Sequence, residues 1–122
     1  MGDNKKKSLY QDLVKEFLFA AGMKQKLKGY YFIVYGITEI LYDYKQSADI
    51  MKKIACAYKV KDSIVHDNIR YMIHVSWKEM DHQLKMMFDD MPSPKVFLVE
   101  VSERLRKDKQ VKEITFSIWP KN

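Results

Sequence analysis

The chain is poor in the residues that break or cross-link a fold: one cysteine, three prolines and four glycines in 122 residues. A lone Cys56 excludes an internal disulfide and fits a reducing cytoplasm. So little proline and glycine leaves small room for disordered linker. Apolar runs are short, and none approaches the roughly 18 residues a membrane span needs. The basic start, MGDNKKKS, is not followed by the apolar stretch of a secretory signal. Lys6 stands where a myristoylation signal needs a hydroxyl residue. The sequence also lacks a glycine-rich phosphate loop, a His-x-x-x-His pair and a Cys-x-x-Cys pair. His66, His74 and His82 recur at eight-residue spacing, which points the first two in different directions on a helix. Cys56 lies in an apolar helical pattern with no base beside it and reads as a buried, inert thiol. These absences argue against an enzyme, a metal site and a cofactor.

What is present is the balance of a soluble globular domain: 47% hydrophobic and 31% charged residues. The length suits one domain with a single modest core. The formal charge of +6 is unevenly spread. Residues 1–30 hold seven lysines against three acids, and residues 104–122 hold six basic against two acidic groups. Residues 81–103 are net negative, with five acids against two lysines. A basic excess permits a nucleic-acid partner without requiring one.

The apolar periodicity is helical nearly throughout. A basic tail, residues 1–7, precedes a helical domain over 8–107, and residues 108–122 form a C-terminal extension. Ser8 is a candidate cap for a first helix with Leu9, Leu13, Phe17, Leu18 and Ala21 inward, and Gly22 is its candidate C-terminal glycine. A second helix, from about residues 28–30 to 43, faces inward with Tyr30, Ile33, Val34, Ile37, Ile40 and Leu41. Gly36 inside it predicts close packing against a neighbour, since glycine there costs about 1 kcal/mol relative to alanine. Ser47 is a candidate cap for a third helix that buries Ile50, Met51, Ile54, Ala55 and Tyr58. After the break KVKD comes a fourth helix, about residues 63–78. A short fifth helix falls in EMDHQLKMMF, the stretch DDMPSP is a turn, and a sixth helix spans 95–107 with Phe97, Leu98, Val101 and Leu105 inward. The alternating tail VKEITFSIWPKN reads as a short strand or an extended surface segment. The fold class predicted is therefore all-α, six helices containing a helix-turn-helix.

The third and fourth helices, joined by about four residues, have helix-turn-helix proportions. At about 100° per residue, Val65, Ile69, Met72, Ile73 and Ser76 share one arc of the fourth helix. Ser63, Asp67, Arg70, Tyr71 and His74 share the opposite arc, with Ile64 and His66 on the flanks and Trp77 beyond the inner border. One arc can anchor to the core while the other enters a DNA major groove.

The stretches LKGYYF, IACAYKVKDSIVHDNIRYMIHVSW and PSPKVFLVEVSERLR resemble the C-terminal DNA-binding effector domain of the master sporulation response regulator of endospore-forming bacteria. The matching residues are Lys28, Gly29 and Tyr30; Ile54, Ala55 and Tyr58; Ser63, Val65, Ile69, Arg70, Ile73, Val75 and Trp77; and Pro92 preceding a helix that ends in Arg104, Leu105 and Arg106. The likeness covers about residues 9–106, without a gap through the third and fourth helices. It implies a six-helix domain in the cytoplasm that binds double-stranded DNA as a head-to-tail pair on tandem boxes. It also implies an aspartate-phosphorylated receiver domain, for which this chain has no room, so control by phosphorylation in cis is not expected.

Departures from the family's pattern fall on the residues that read bases. Where the family has Ser-Arg-Val-Glu-Arg-Ala-Ile-Arg, this chain has Ser63, Ile64, Val65, His66, Asp67, Asn68, Ile69 and Arg70. Of the family's three arginines only Arg70 remains. The connection before Pro92 is several residues shorter than the family's, which bears on pairing. Arg70, His66, Asp67 and Ile64 are the candidate base contacts. Ser63, Lys52, Lys53, Lys59, Lys61 and Tyr71 are the candidate backbone contacts, with Lys26 and Lys28 as secondary candidates of the same kind; Tyr30 and Trp77 belong to the core. Two outcomes are compatible with these departures. The chain reads different bases, as a homodimer on tandem sites or otherwise; or it has lost base reading and acts as an interaction module, with a full-length sporulation regulator as a partner.

Overall fold

The computed structural model describes residues 2–24 and 27–117, and every regular element among them is helical. The helices are α1 (Asp3–Ala20), α2 (Lys28–Tyr42), α3 (Ile50–Tyr58), α4 (Asp62–Trp77), α5 (His82–Lys85), α6 (Pro94–Arg106) and α7 (Lys109–Phe116). A 3-10 turn, Tyr44–Asp49, leads into α3. None of the described helices is long and apolar enough to cross a membrane.

The centre of the molecule is α2, which packs against α1, α3, α4 and α6. A helix surrounded by partners must be apolar on all sides, and the run KGYYFIVYGITEILY meets that demand. All six residues of its predicted inward stripe are buried, and Phe32 is buried as well. Gly36 makes the predicted close approach. A Cβ at that position would sit 3.0 Å from Ile54 Cδ1 and 3.2 Å from Leu98 Cδ1, so α3 and α6 both close over it.

The first helix begins earlier than its sequence suggests. Ser8 lies inside α1 and does not cap it; Gly2 holds the cap position without a side-chain bond. The buried residues are Tyr10, Val14, Leu18 and Ala21: Leu18 and Ala21 face inward as predicted, while Tyr10 and Val14 are buried in place of Leu9, Leu13 and Phe17, which are half-buried. The cause is that α1 lies between two partners, α2 and α7, so its inner face is wider than one stripe. Its C-terminus closes as predicted. Gly22 has φ +95°, its N–H donates to Phe19 O at 3.0 Å, and Met23 N–H donates to Leu18 O at 2.8 Å, the paired bonds of a Schellman ending.

Ser47 does not cap α3 either. The Asp43 carboxylate accepts from Lys45 N at 3.1 Å and starts the 3-10 turn, so the chain is already coiled at Ser47 and α3 begins at Ile50. Further on, Asp81 caps α5, and Ser93 with Pro94 starts α6, a capping hydroxyl followed by the proline that fits the first helical turn. Phe97, Leu98, Val101 and Leu105 of α6 are buried. Arg106 donates to Ile40 O at 2.7 Å and ties the end of α6 to α2.

The tail overturns its sequence reading as strand or extended segment. Asp108 accepts from Gln110 N at 2.8 Å and from Val111 N at 3.4 Å and so caps α7. Val111 is buried and Ile114 half-buried, a spacing of three that one helical face can present to α1. Tyr10 Oη lies 2.8 Å from Thr115 Oγ1 across that contact. Residues 118–122 of the predicted tail lie outside the described residues.

Candidate nucleic-acid interface

The turn between α3 and α4 is three residues, Lys59–Lys61. Lys59 takes the left-handed conformation, φ 57° and ψ 47°, and Val60 N–H donates to Ala55 O at 3.0 Å. A side chain in that region costs of order 1 kcal/mol, which packing on both sides offsets: Ile54 and Ala55 are buried before the turn, Val65 and Ile69 after it.

The inner arc of α4 is the predicted one, with Val65, Ile69, Met72, Ile73 and Ser76 all buried. It meets α2, α3 and α6. At the approach to α2, a Cβ on Gly29 would overlap the Asn68 carbonyl oxygen, so only glycine lets the helices come this close. Trp77 is half-buried, with its ring tilted against Phe88 at 6.4 Å between centroids and Lys85 Nζ 5.5 Å above it.

The outer arc faces solvent. Ser63, Asp67, Arg70, Tyr71 and His74 are exposed, as is Ile64; His66 is partly covered. Arg70 makes no hydrogen bond or ion pair with the described residues. Asp67, three residues before it, does not reach Arg70; its Oδ1 lies 3.8 Å from His66 Nδ1. Asn68 is occupied locally, donating from Nδ2 to Ile64 O at 2.7 Å. Ser63 sits in the first turn of α4, and Lys61 holds the cap position before it.

Lys52, Lys59, Lys61 and Lys28 are exposed; Lys26 lies outside the described residues. Lys53 is placed differently. Its ammonium lies 3.7 Å from the Glu39 carboxylate, which also takes Lys7 at 3.2 Å. Glu39 is buried in α2, with 7% of its side chain exposed. A buried carboxylate held by two ammonium groups clamps α1 and α3 to α2 and thereby fixes the scaffold helix. The sequence carries a signal for this clamp, a single carboxylate inside an otherwise apolar helix.

Two further side chains depart from their sequence readings. Cys56 is exposed, because α3 turns Ile54 and Ala55 inward and leaves Cys56 outside. Tyr58 is 42% exposed, yet its ring meets Phe32 edge-on at 4.9 Å and Tyr35 at 5.8 Å. Burial pushes the Tyr58 phenol above its ordinary range; burial, then the Glu39 carboxylate, does the same to Tyr35.

A free outer arc on the second helix of a tight helix-turn-helix has its counterpart in known sequences. The family described as Sporulation initiation factor Spo0A C terminal matches residues 14–96, from within α1 to the start of α6. A search of curated proteins found no match. With the match running over two thirds of the chain, and over the helix-turn-helix entire, the chain belongs to the family of the Spo0A C-terminal domain, the DNA-binding domain of sporulation regulators.

Proposed function

We propose that the chain is a transcription regulator of the sporulation type that binds duplex DNA by inserting α4 into the major groove. The observation that carries this reading is the outer arc of α4. Its residues Ser63, Asp67, Arg70, Tyr71 and His74 are exposed, and Arg70 has no hydrogen-bond or ion-pair partner among the described residues. Arginine's planar fork can bond two acceptors on guanine. Lys52 on α3 and Lys59 and Lys61 in the turn before α4 are exposed and would neutralise phosphates, with Ser63 and Tyr71 as uncharged contacts to the backbone. Lys53 is engaged by Glu39 and plays a smaller part. In this reading the protein acts in the cytoplasm, and pairs of copies occupy tandem sites.

A second reading has its own support. Asp67 sits at the centre of the outer arc, where phosphates repel it, and Ile64, Tyr71 and Val75 expose apolar surface beside it. Such a face also suits a protein-interaction module that pairs with a full-length regulator. A mobility-shift titration with random duplex at about 50 mM salt separates the two. DNA binding requires a shift that weakens steeply as salt rises. An unshifted duplex, with the full-length regulator captured instead, favours the interaction module.

A further inference from the structure

We infer that Asp67 is the residue that sets sequence specificity, and that it selects a cytosine between the base pairs met by Ile64 and Arg70. This inference rests on the DNA-binding reading above and goes on to name the bases. Ile64, Asp67 and Arg70 follow one another at intervals of three on α4. Three residues advance about 4.5 Å along a helix, close to the roughly 3.4 Å step between base pairs. Side chains at similar spacing on the helix of a zinc finger contact successive bases. The three side chains here are exposed and form a diagonal ridge across the free arc.

Each end of the ridge has a chemical preference. The Arg70 guanidinium matches the paired O6 and N7 acceptors of guanine, and the Ile64 side chain matches the methyl group of thymine. The middle position is the restrictive one. Asp67 carries an acceptor-only carboxylate with 72% of its side chain exposed, and no arginine or lysine of the described residues neutralises it. The His66 nitrogen at 3.8 Å is beyond hydrogen-bond range. Guanine and thymine present acceptors in the major groove and repel a carboxylate. Adenine offers an amine beside its N7 acceptor. Cytosine alone offers the N4 amine with no acceptor next to it. A carboxylate at this point therefore disfavours guanine and thymine and prefers cytosine to adenine, whose N7 repels it, which makes it a filter as well as a contact.

The test is selection from random duplexes with the full chain, its Asp67→Asn variant and its Asp67→Ala variant, each checked for native helicity. The wild type should enrich a C·G pair flanked by an A·T pair and a G·C pair, and prefer it over other middle pairs by roughly 5- to 150-fold. Asp67→Asn should move the middle preference to A·T, because an amide can bond adenine N6 and N7 together. Asp67→Ala should leave the middle pair undetermined and the Arg70 pair unchanged. If the wild type selects another middle pair, or all three proteins select the same one, Asp67 does not set specificity although DNA binding stands. If the wild type selects no duplex at all, the DNA-binding reading falls and this inference with it.

Discussion

Gly29, at the start of α2, lies flush against the backbone of Asn68 in α4. A Cβ there would overlap the Asn68 carbonyl oxygen and stand 2.9 Å from Met72 Cβ. The obstacle is backbone within a helix, which cannot swing aside as a flexible side chain can. Gly29→Ala should therefore lower stability by about 1–3 kcal/mol, even though alanine is the better helix former. A denaturant midpoint equal to or above that of the wild type would show that α2 and α4 do not approach this closely.

The clamp around Glu39 gives a graded expectation. Lys7→Met or Lys53→Met alone leaves one ammonium on the carboxylate and should cost about 1 kcal/mol. Both together strand a buried charge and should cost about 3 kcal/mol. Adding Glu39→Gln to the double variant should recover part of the loss. Strictly additive single and double losses in thermal melts would argue that the three residues act separately.

On DNA, Arg70→Ala should weaken binding to the selected site by about 1–3 kcal/mol and relax one base position. Lys52→Ala, Lys59→Ala and Lys61→Ala should each weaken binding uniformly across sequences and lower the salt slope by about 0.9. Lys53→Ala should change the salt slope less than these, since Glu39 already holds that ammonium. The deciding measurement is affinity against salt concentration by fluorescence anisotropy, and equal slopes for Lys53→Ala and Lys52→Ala would contradict the assignment.

The α1–α7 contact is open to the same kind of test. Thr115→Val removes the partner of the Tyr10 hydroxyl, 2.8 Å away, and should cost about 1–2 kcal/mol. Val111→Ala empties a buried site and should cost about 1–3 kcal/mol. Neither should alter the salt slope of DNA binding, because α7 packs on α1 and α6. Urea melts in which both variants match the wild type would mean that α7 is not docked.

Raised phenol pKa values in Tyr35 and Tyr58 predict a loss of stability in alkali. Their neutral forms are favoured in the fold. That stability is fully present below the unfolded value, about 10, and is lost as pH rises through the higher folded values. The Tyr35→Phe/Tyr58→Phe double variant should lose melting temperature less steeply above pH 10 than the wild type does. Parallel slopes would remove the tyrosines from the explanation.

The helices and their buried stripes are legible in the sequence because periodicity is a local property. Val65, Ile69, Met72, Ile73 and Ser76 lie on one arc of α4 by spacing alone, and Gly22 and Gly36 mark a helix end and a close approach by their positions in the pattern. The same spacing separates the outer arc, so Arg70 and Asp67 can be singled out as solvent-facing. Other features resist such reading because they depend on which faces meet across long stretches of chain. Glu39 is answered from Lys7 and Lys53, on two different helices. Whether VKEITF forms a strand or a helix turns on the Asp108 cap and on the presence of α1 to receive Val111.

By itself, then, the sequence determined an all-helical chain, a short turn between two helices, and a fourth helix whose outer arc carries a single arginine, each written in residues close together. Tertiary structure alone decided that Cys56 faces solvent, that Lys53 turns to a buried carboxylate, and that Asp67 and Arg70 stand side by side without pairing. The physical reason is that exposure and charge pairing are relations between surfaces, and no surface exists until distant helices have packed.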